Sequence, residues 1–158
     1  MRHLVIAGLG LALAGPVLAE SHSIASGDAA LGEEKFNRQC ITCHVVEDAD
    51  GNILAGRKAR TGPNLYGVAL RTLGTYPEYK YGKSMIAAGE TGLVWDEAGF
   101  VPYVQNPTKW LREALDDKRA KGKMSYKVKK EEDAINIFAF LVSIGPEIMA
   151  EEASTESN

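Results

Sequence analysis

Cys40-Ile41-Thr42-Cys43-His44 sets two thiols three residues apart, with an imidazole directly after the second. On one turn of helix such thiols reach the two vinyl groups of a haem and form thioethers, while the neighbouring imidazole points at the iron. This is the spacing of c-type haem attachment. A zinc site would need four ligands, and no His or Cys follows His44. A thioredoxin-like redox pair would need a βαβ setting, which this Gly-rich, helix-punctuated chain does not offer. The residues therefore assign Cys40 and Cys43 to thioethers and His44 to the iron.

A second axial ligand separates an electron carrier from a haem that binds gases or reacts with peroxide. A thioether ligand also favours ferrous iron and raises the potential. The candidates are Met85, Met124 and Met149, with His22 the one spare histidine beyond the leader described below. Met85 falls in a predicted helix among apolar residues, where methionine usually fills a core. Met149 lies in an acidic tail. Met124 occupies the polar stretch Ala120-Lys121-Gly122-Lys123-Met124-Ser125-Tyr126, which has no hydrophobic periodicity and no packing reason to hold a methionine. Met124 is the expected ligand.

The elements that must position these groups read as helices. Asp28 caps a helix over 29–38, with Leu31 and Phe36 expected on its inner side and Gly32 leaving room for another helix. Residues 131–144 carry Ala134, Ile137, Phe138, Leu141 and Ile144 at helical spacing, ending at Gly145-Pro146. The two terminal helices are expected to cross at Gly32. Between them, Asn106 caps and Pro107 opens a short helix. Residues 81–88 form another, stopped by Gly89. A third starts at Asp96 and runs through Val104, with a kink or shortening expected at Pro102. No strand pattern of useful length appears, so the expected class is all-α, about five helices around one haem.

The first nineteen residues stand apart. Arg2 and His3 precede an apolar stretch over 4–13, then Ala-Gly-Pro-Val-Leu-Ala. A basic start, a short greasy segment and small residues at the exit read as a signal peptide cut after Ala19, which sends the chain to the periplasm. The expected division is 1–19 leader, 20–145 folded domain and 146–158 a disordered acidic tail. The 158 residues suit one domain, and no apolar run reaches the ~18 residues of a membrane span.

A net charge of −3 argues against nucleic-acid binding, yet the charge is polarised. Residues 109–130 hold nine Lys/Arg against three acids, around Met124, whereas 131–158 hold seven acids and no base. Such a basic face would orient the molecule on acidic partners before contact.

GEEKF, CITCH, TGPNLYG, Arg71, YKYG, VW, YVQNPTKW and KGKMSYK, spread from Gly32 to about Leu141, resemble a class I cytochrome c, the long bacterial cytochrome c2 or c-550 type in particular. The resemblance implies a class I cytochrome c fold with crossing terminal helices. It implies that the Pro63 carbonyl accepts the His44 ring N–H. It matches Tyr103 to a tyrosine near the Met sulfur, and Arg71, Tyr81 and Trp95 to the group that neutralises or hydrogen-bonds a buried haem propionate. Tyr126 matches an aromatic beside the Met ligand at the exposed haem edge. Two departures stand out: Gly122 replaces a Thr that bonds a propionate in many relatives, and Pro102 directly precedes Tyr103.

The implied function is a monomeric periplasmic one-electron carrier. It would take electrons from a cytochrome bc1-type complex and pass them to a photosynthetic reaction centre, a cytochrome c oxidase or a nitrogen-oxide reductase. The alternatives are a small peroxidase-like or nitric-oxide-binding haem protein with a labile distal ligand, and a thiol-disulfide or maturation protein.

Overall fold

A computed structural model describes residues 24–147. The leader over 1–19, His22, Met149 and most of the acidic tail lie outside the described residues. Five helices and one short hairpin follow in the order α1 (Ala29–Gln39), β1 (Val45–Glu47), β2 (Ile53–Gly56), α2 (Lys83–Glu90), α3 (Glu97–Gln105), α4 (Pro107–Ala114) and α5 (Glu131–Ser143).

Helix α1 begins where the Asp28 carboxylate accepts the Leu31 N–H at 2.9 Å. Its inner stripe is Gly32 and Phe36, both buried. Leu31, expected beside them, is 45% exposed. Five residues separate Leu31 from Phe36, which puts them about 140° apart around a 3.6-residue helix. Helix α5 starts without a side-chain cap, but Glu131, Glu132 and Asp133 in its first turn complement the helix dipole. Its face of Ala134, Ile137, Phe138 and Leu141 is buried.

Helices α1 and α5 pack at Gly32. A Cβ there would stand 2.6 Å from the carbonyl carbon of Asn136 and 2.8 Å from Phe140 Cβ, so only glycine permits this approach. The crossing is locked by rings and polar contacts. Phe36 and Phe140 lie 5.5 Å apart, the Asp28 N–H donates to Asn136 Oδ1 at 2.9 Å, and Gln39 donates to Asp133 at 3.0 Å.

Three sequence expectations are corrected. Helix α2 spans Lys83–Glu90, leaving Tyr81 outside it and carrying Gly89 inside its last turn. Gly89 is required there by packing, since a Cβ would overlap the Leu73 backbone. Helix α3 runs unbroken through Pro102 to Gln105. Pro102 and Ala98, whose carbonyl Pro102 cannot bond, are both exposed. Finally, a hairpin interrupts the helices. Val45 pairs with Gly56, Val46 with Ala55 and Glu47 with Ile53, with a bulge between Val46 and Glu47. Its loop is held by Asp48 Oδ1, which accepts the Asp50 and Asn52 N–H groups, and Gly51 turns the chain at φ +84°. Strands this short leave too few residues to show an alternation.

Helix α4 follows the expected Asn106 cap and Pro107 start. The loop after it is tied back by the Val128 N–H to the Val104 carbonyl at 2.9 Å and by Arg112 Nε to the Ala120 carbonyl at 3.1 Å. Among the described residues, no helix is long and apolar enough to cross a membrane.

Candidate functional site

A cavity of about 580 Å³ opens between the end of α1, the 61–65 segment, α3, α5 and the loop around Met124. Its volume suits a cofactor. All ten residues singled out from the sequence line it: Cys40, Cys43, His44, Pro63, Arg71, Tyr81, Trp95, Tyr103, Met124 and Tyr126. Val68, Phe100, Val104, Val128, Ile137 and Leu141 give it apolar walls. Met85 lines it too, buried on α2.

The cysteines sit where α1 ends. Cys40 caps the helix, its N–H bonded to the Phe36 carbonyl, and the Cys43 and His44 N–H groups both turn back to the Cys40 carbonyl at 3.1 and 3.0 Å. The two thiols are half-buried and not joined to each other. Burial, with Cys43 adding to it, pushes the Cys40 thiol up to about 12. A thiol so held is protonated at neutral pH.

His44 is fixed from two sides. Its Nδ1 lies 2.9 Å from the Pro63 carbonyl oxygen. That oxygen can only accept, so Nδ1 carries the proton and Nε2 keeps its lone pair. Gly62 lies against the ring, where a Cβ would come within 2.7 Å of Nε2. Burial holds the His44 pKa below the ordinary imidazole value, with the Pro63 bond partly opposing it. The ring is therefore neutral and free to ligate.

The Arg71 guanidinium is half-buried, 5.2 Å from the Tyr76 ring centre and 3.4 Å from the Asn64 carbonyl. Among the described residues no carboxylate pairs with it. Burial lowers its pKa, and Tyr81 and Tyr76 nearby partly restore it. Burial raises the Tyr81 phenol against the pull of Arg71. An unpaired cation beside an apolar cavity suits an anionic substituent on the occupant. Trp95 anchors the same wall through its backbone, its N–H donating to the Arg71 carbonyl at 3.0 Å. Tyr103 packs against Trp95 with ring centres 4.7 Å apart and planes tilted by 60°, and meets Trp110 edge-on at 5.7 Å. Burial, then the neighbouring Tyr79 and Tyr81, drive its phenol pKa upward.

Three contacts strap the mouth. The Tyr126 hydroxyl donates to Gln39 Oε1 at 3.2 Å, the Lys123 ammonium donates to the Lys80 carbonyl at 2.6 Å, and the Tyr79 hydroxyl donates to the Thr61 carbonyl at 3.1 Å. Gly122 sits against α4, its N–H donating to Thr108 Oγ1, and a Cβ there would press on Pro107 at 3.0 Å. Sequence reasoning missed Gly62, Asn64, Gln39 and Tyr79. The first two flank Pro63 in TGPNL, and their value is visible only once that segment lies beside His44.

The donor set fits a covalent haem: two unpaired thiols, an imidazole with a free Nε2, a thioether and an unneutralised guanidinium share one apolar cavity. Comparison with known proteins agrees. The cytochrome c family model matches residues 29–145. Cytochrome c2 of Rhodovulum adriaticum is 56% identical over 120 residues, covering 76% of this chain and 94% of that protein. Cytochrome c-550 of Paracoccus versutus is 40% identical over 154 residues, 96% of this chain and 92% of that protein. The crystal structure of cytochrome c2 from Rhodobacter sphaeroides superposes with a TM-score of 0.75 at 52% identity, covering 78% of this chain and all of that one. The chain belongs to the cytochrome c family, as a class I electron carrier of the cytochrome c2 type with covalently attached haem c.

Proposed function

We propose that this protein is a periplasmic shuttle that takes electrons from a cytochrome bc1-type complex and delivers them to a photosynthetic reaction centre or to a terminal oxidase or nitrogen-oxide reductase. The observation that carries the reading is the shared cavity of His44, with its proton committed to Pro63, and Met124. When bound, the haem supplies a one-electron ferric/ferrous couple. Cys40 and Cys43 would hold it by thioethers, and the His44 imidazole and the Met124 thioether would ligate its iron. Pro63 keeps the imidazole in one tautomer, and Arg71 with Tyr81 and Trp95 offsets a propionate charge. Tyr103, beside Trp95 in the cavity wall, would approach the Met124 sulfur, and Tyr126 would cover the haem edge.

Rigid ligation keeps reorganisation small, and the apolar walls exclude water. Lys121, Lys123 and the other bases of 109–130 rim the cavity or flank its Met loop, so an acidic partner meets the haem edge first. The ferric spectrum tests ligation. A far-red sulfur–iron band is expected in the native protein and in Met85→Leu, and its absence in Met124→Ala. A band that survives Met124→Ala overturns the assignment. For the partner, reduced holoprotein is mixed with purified reaction centres and its oxidation timed after a flash across a salt series. Fast oxidation that weakens with salt supports photosynthetic delivery through the basic face, and slow, salt-insensitive oxidation redirects the search to respiratory or denitrifying reductases.

A further inference from the structure

Pro63 holds the His44 proton, but a proline has no N–H with which to anchor itself. The orientation of its carbonyl must come from neighbours. Gly62 donates its N–H to the Cys43 carbonyl at 2.7 Å and Leu65 donates to the Val45 carbonyl at 2.9 Å. Between them lies Asn64, one of two buried polar side chains among the described residues, at 7% exposure. Its Oδ1 accepts the Glu47 and Tyr66 N–H groups, both at 3.0 Å. Its Nδ2 donates to the Glu47 carbonyl at 2.7 Å and reaches the Tyr76 hydroxyl at 3.4 Å. The Asn64 main-chain carbonyl accepts from Arg71 Nη2 at 3.4 Å.

We infer that Asn64 is a positioning residue for the axial imidazole: its amide clamps the Pro63 peptide to β1 and so sets the strength of the Nδ1–H to carbonyl bond. The same residue ties that bond to the guanidinium on the propionate side. A firm acceptor raises ligand basicity and favours ferric iron, so loosening the clamp raises the reduction potential. The inference rests on His44 being the iron ligand.

The test is solvent exchange of the His44 Nδ1 proton in the ferrous holoprotein, with the potential measured alongside. Asp28→Ala, which removes the α1 cap away from the site, serves as the stability control. In Asn64→Ala, exchange relative to native is expected to rise on the order of tenfold through local opening of the 62–65 segment, with an upward potential shift. In Asp28→Ala both stay near native. Asn64→Asp supplies a second arm. Protonated, the introduced carboxyl has one acceptor and one O–H donor, matching both uses of the amide, whereas ionised it cannot donate to the Glu47 carbonyl.

Its exchange ratio to native should sit near one in acid and climb as the carboxyl ionises. The new carboxyl would face Glu47, Tyr76 and Arg71, and taking the ratio to native at each pH removes the intrinsic pH dependence of exchange. A flat ratio in Asn64→Asp, or exchange and potential in Asn64→Ala no different from Asp28→Ala, overturns the inference. If Asn64→Ala does not fold, the acid-to-neutral comparison within Asn64→Asp decides alone. Failure of the ligand assignment is read separately, as native His44 resonances lacking the large ring-current shifts of a ligand to haem iron.

Discussion

Gly62 lies flat on the imidazole of His44: a Cβ on the glycine would stand 2.6 Å from Nδ1 and 2.7 Å from Nε2. The ring thus has its plane set by a missing side chain and its rotation about that plane set by the Pro63 carbonyl. A side chain added at residue 62 must therefore move either the ring or the segment that carries it.

Gly62→Ala should therefore displace the ring or the 61–65 segment. Overpacking of this kind costs about 1–3 kcal/mol. Denaturant titration of the holoprotein should show that loss together with a changed reduction potential. A stability loss with an unaltered potential would mean the segment yields and the ring does not.

Gly32→Ala tests the helix crossing independently of the iron. The added methyl meets the Asn136 backbone and Phe140 Cβ, so α1 and α5 must separate. A loss of at least ~1–3 kcal/mol is expected in thermal unfolding, with the far-red band intact at temperatures where the variant is folded.

Arg71→Leu removes a half-buried cation that no carboxylate neutralises among the described residues. Losing positive charge near the iron favours the ferric state, so the potential should fall. An effect of order 1 kcal/mol corresponds to about 40 mV for one electron. Voltammetry at neutral pH measures it, and a rise would contradict the placement of Arg71 at the propionate.

Lys127 and Lys123 both belong to the basic face, but they differ in attachment. Lys127 is exposed, whereas the Lys123 ammonium is held by the Lys80 carbonyl and lies 5.0 Å from the Tyr79 ring centre. Lys127→Glu should slow electron transfer to an acidic partner several-fold at low salt and leave the far-red band unchanged. Lys123→Glu should slow transfer similarly and also make the band less heat-resistant, because a strap between the Met loop and residue 80 is lost. Rates and salt dependence equal to native would refute the docking role.

Asp48 supplies a pH test of the hairpin. The Asn52 side chain and backbone N–H hold its carboxylate pKa below the ordinary 3.8. Because the folded value is depressed, its stabilisation is complete above the unfolded pKa and lost as pH falls through the folded one. Asp48→Ala should be less stable than native at pH 7, with the gap closing in acid below 3.8. A gap that stays constant would place the loop's stability elsewhere.

Much of the site was legible because its chemistry is local. Cys40, Cys43 and His44 lie within one turn, and their role follows from spacing alone. The caps at Asp28 and Asn106 and the face of α5 were legible for the same reason, since each depends on residues a few positions apart. Met124 stood out by contrast, as a methionine in a stretch without periodicity, and the fold places it on the cavity wall. The hairpin was not, because three- and four-residue strands leave no repeating pattern, and Leu31 was misplaced although its spacing from Phe36 already puts it about 140° away around the helix.

The sequence by itself determined the attachment chemistry, the helix boundaries to within a residue or two for α1, α4 and α5, and the polarity of charge along the chain. Only the tertiary structure decided which side chains share the cavity and what restrains them. Gly62 and Asn64 act on His44 from about twenty positions away, Gly32 on Asn136 from more than a hundred, and Gly89 in α2 on Leu73 in the loop before it. Such contacts depend on distances between segments that no local spacing encodes, because steric exclusion and buried hydrogen bonds arise only when the packed elements meet.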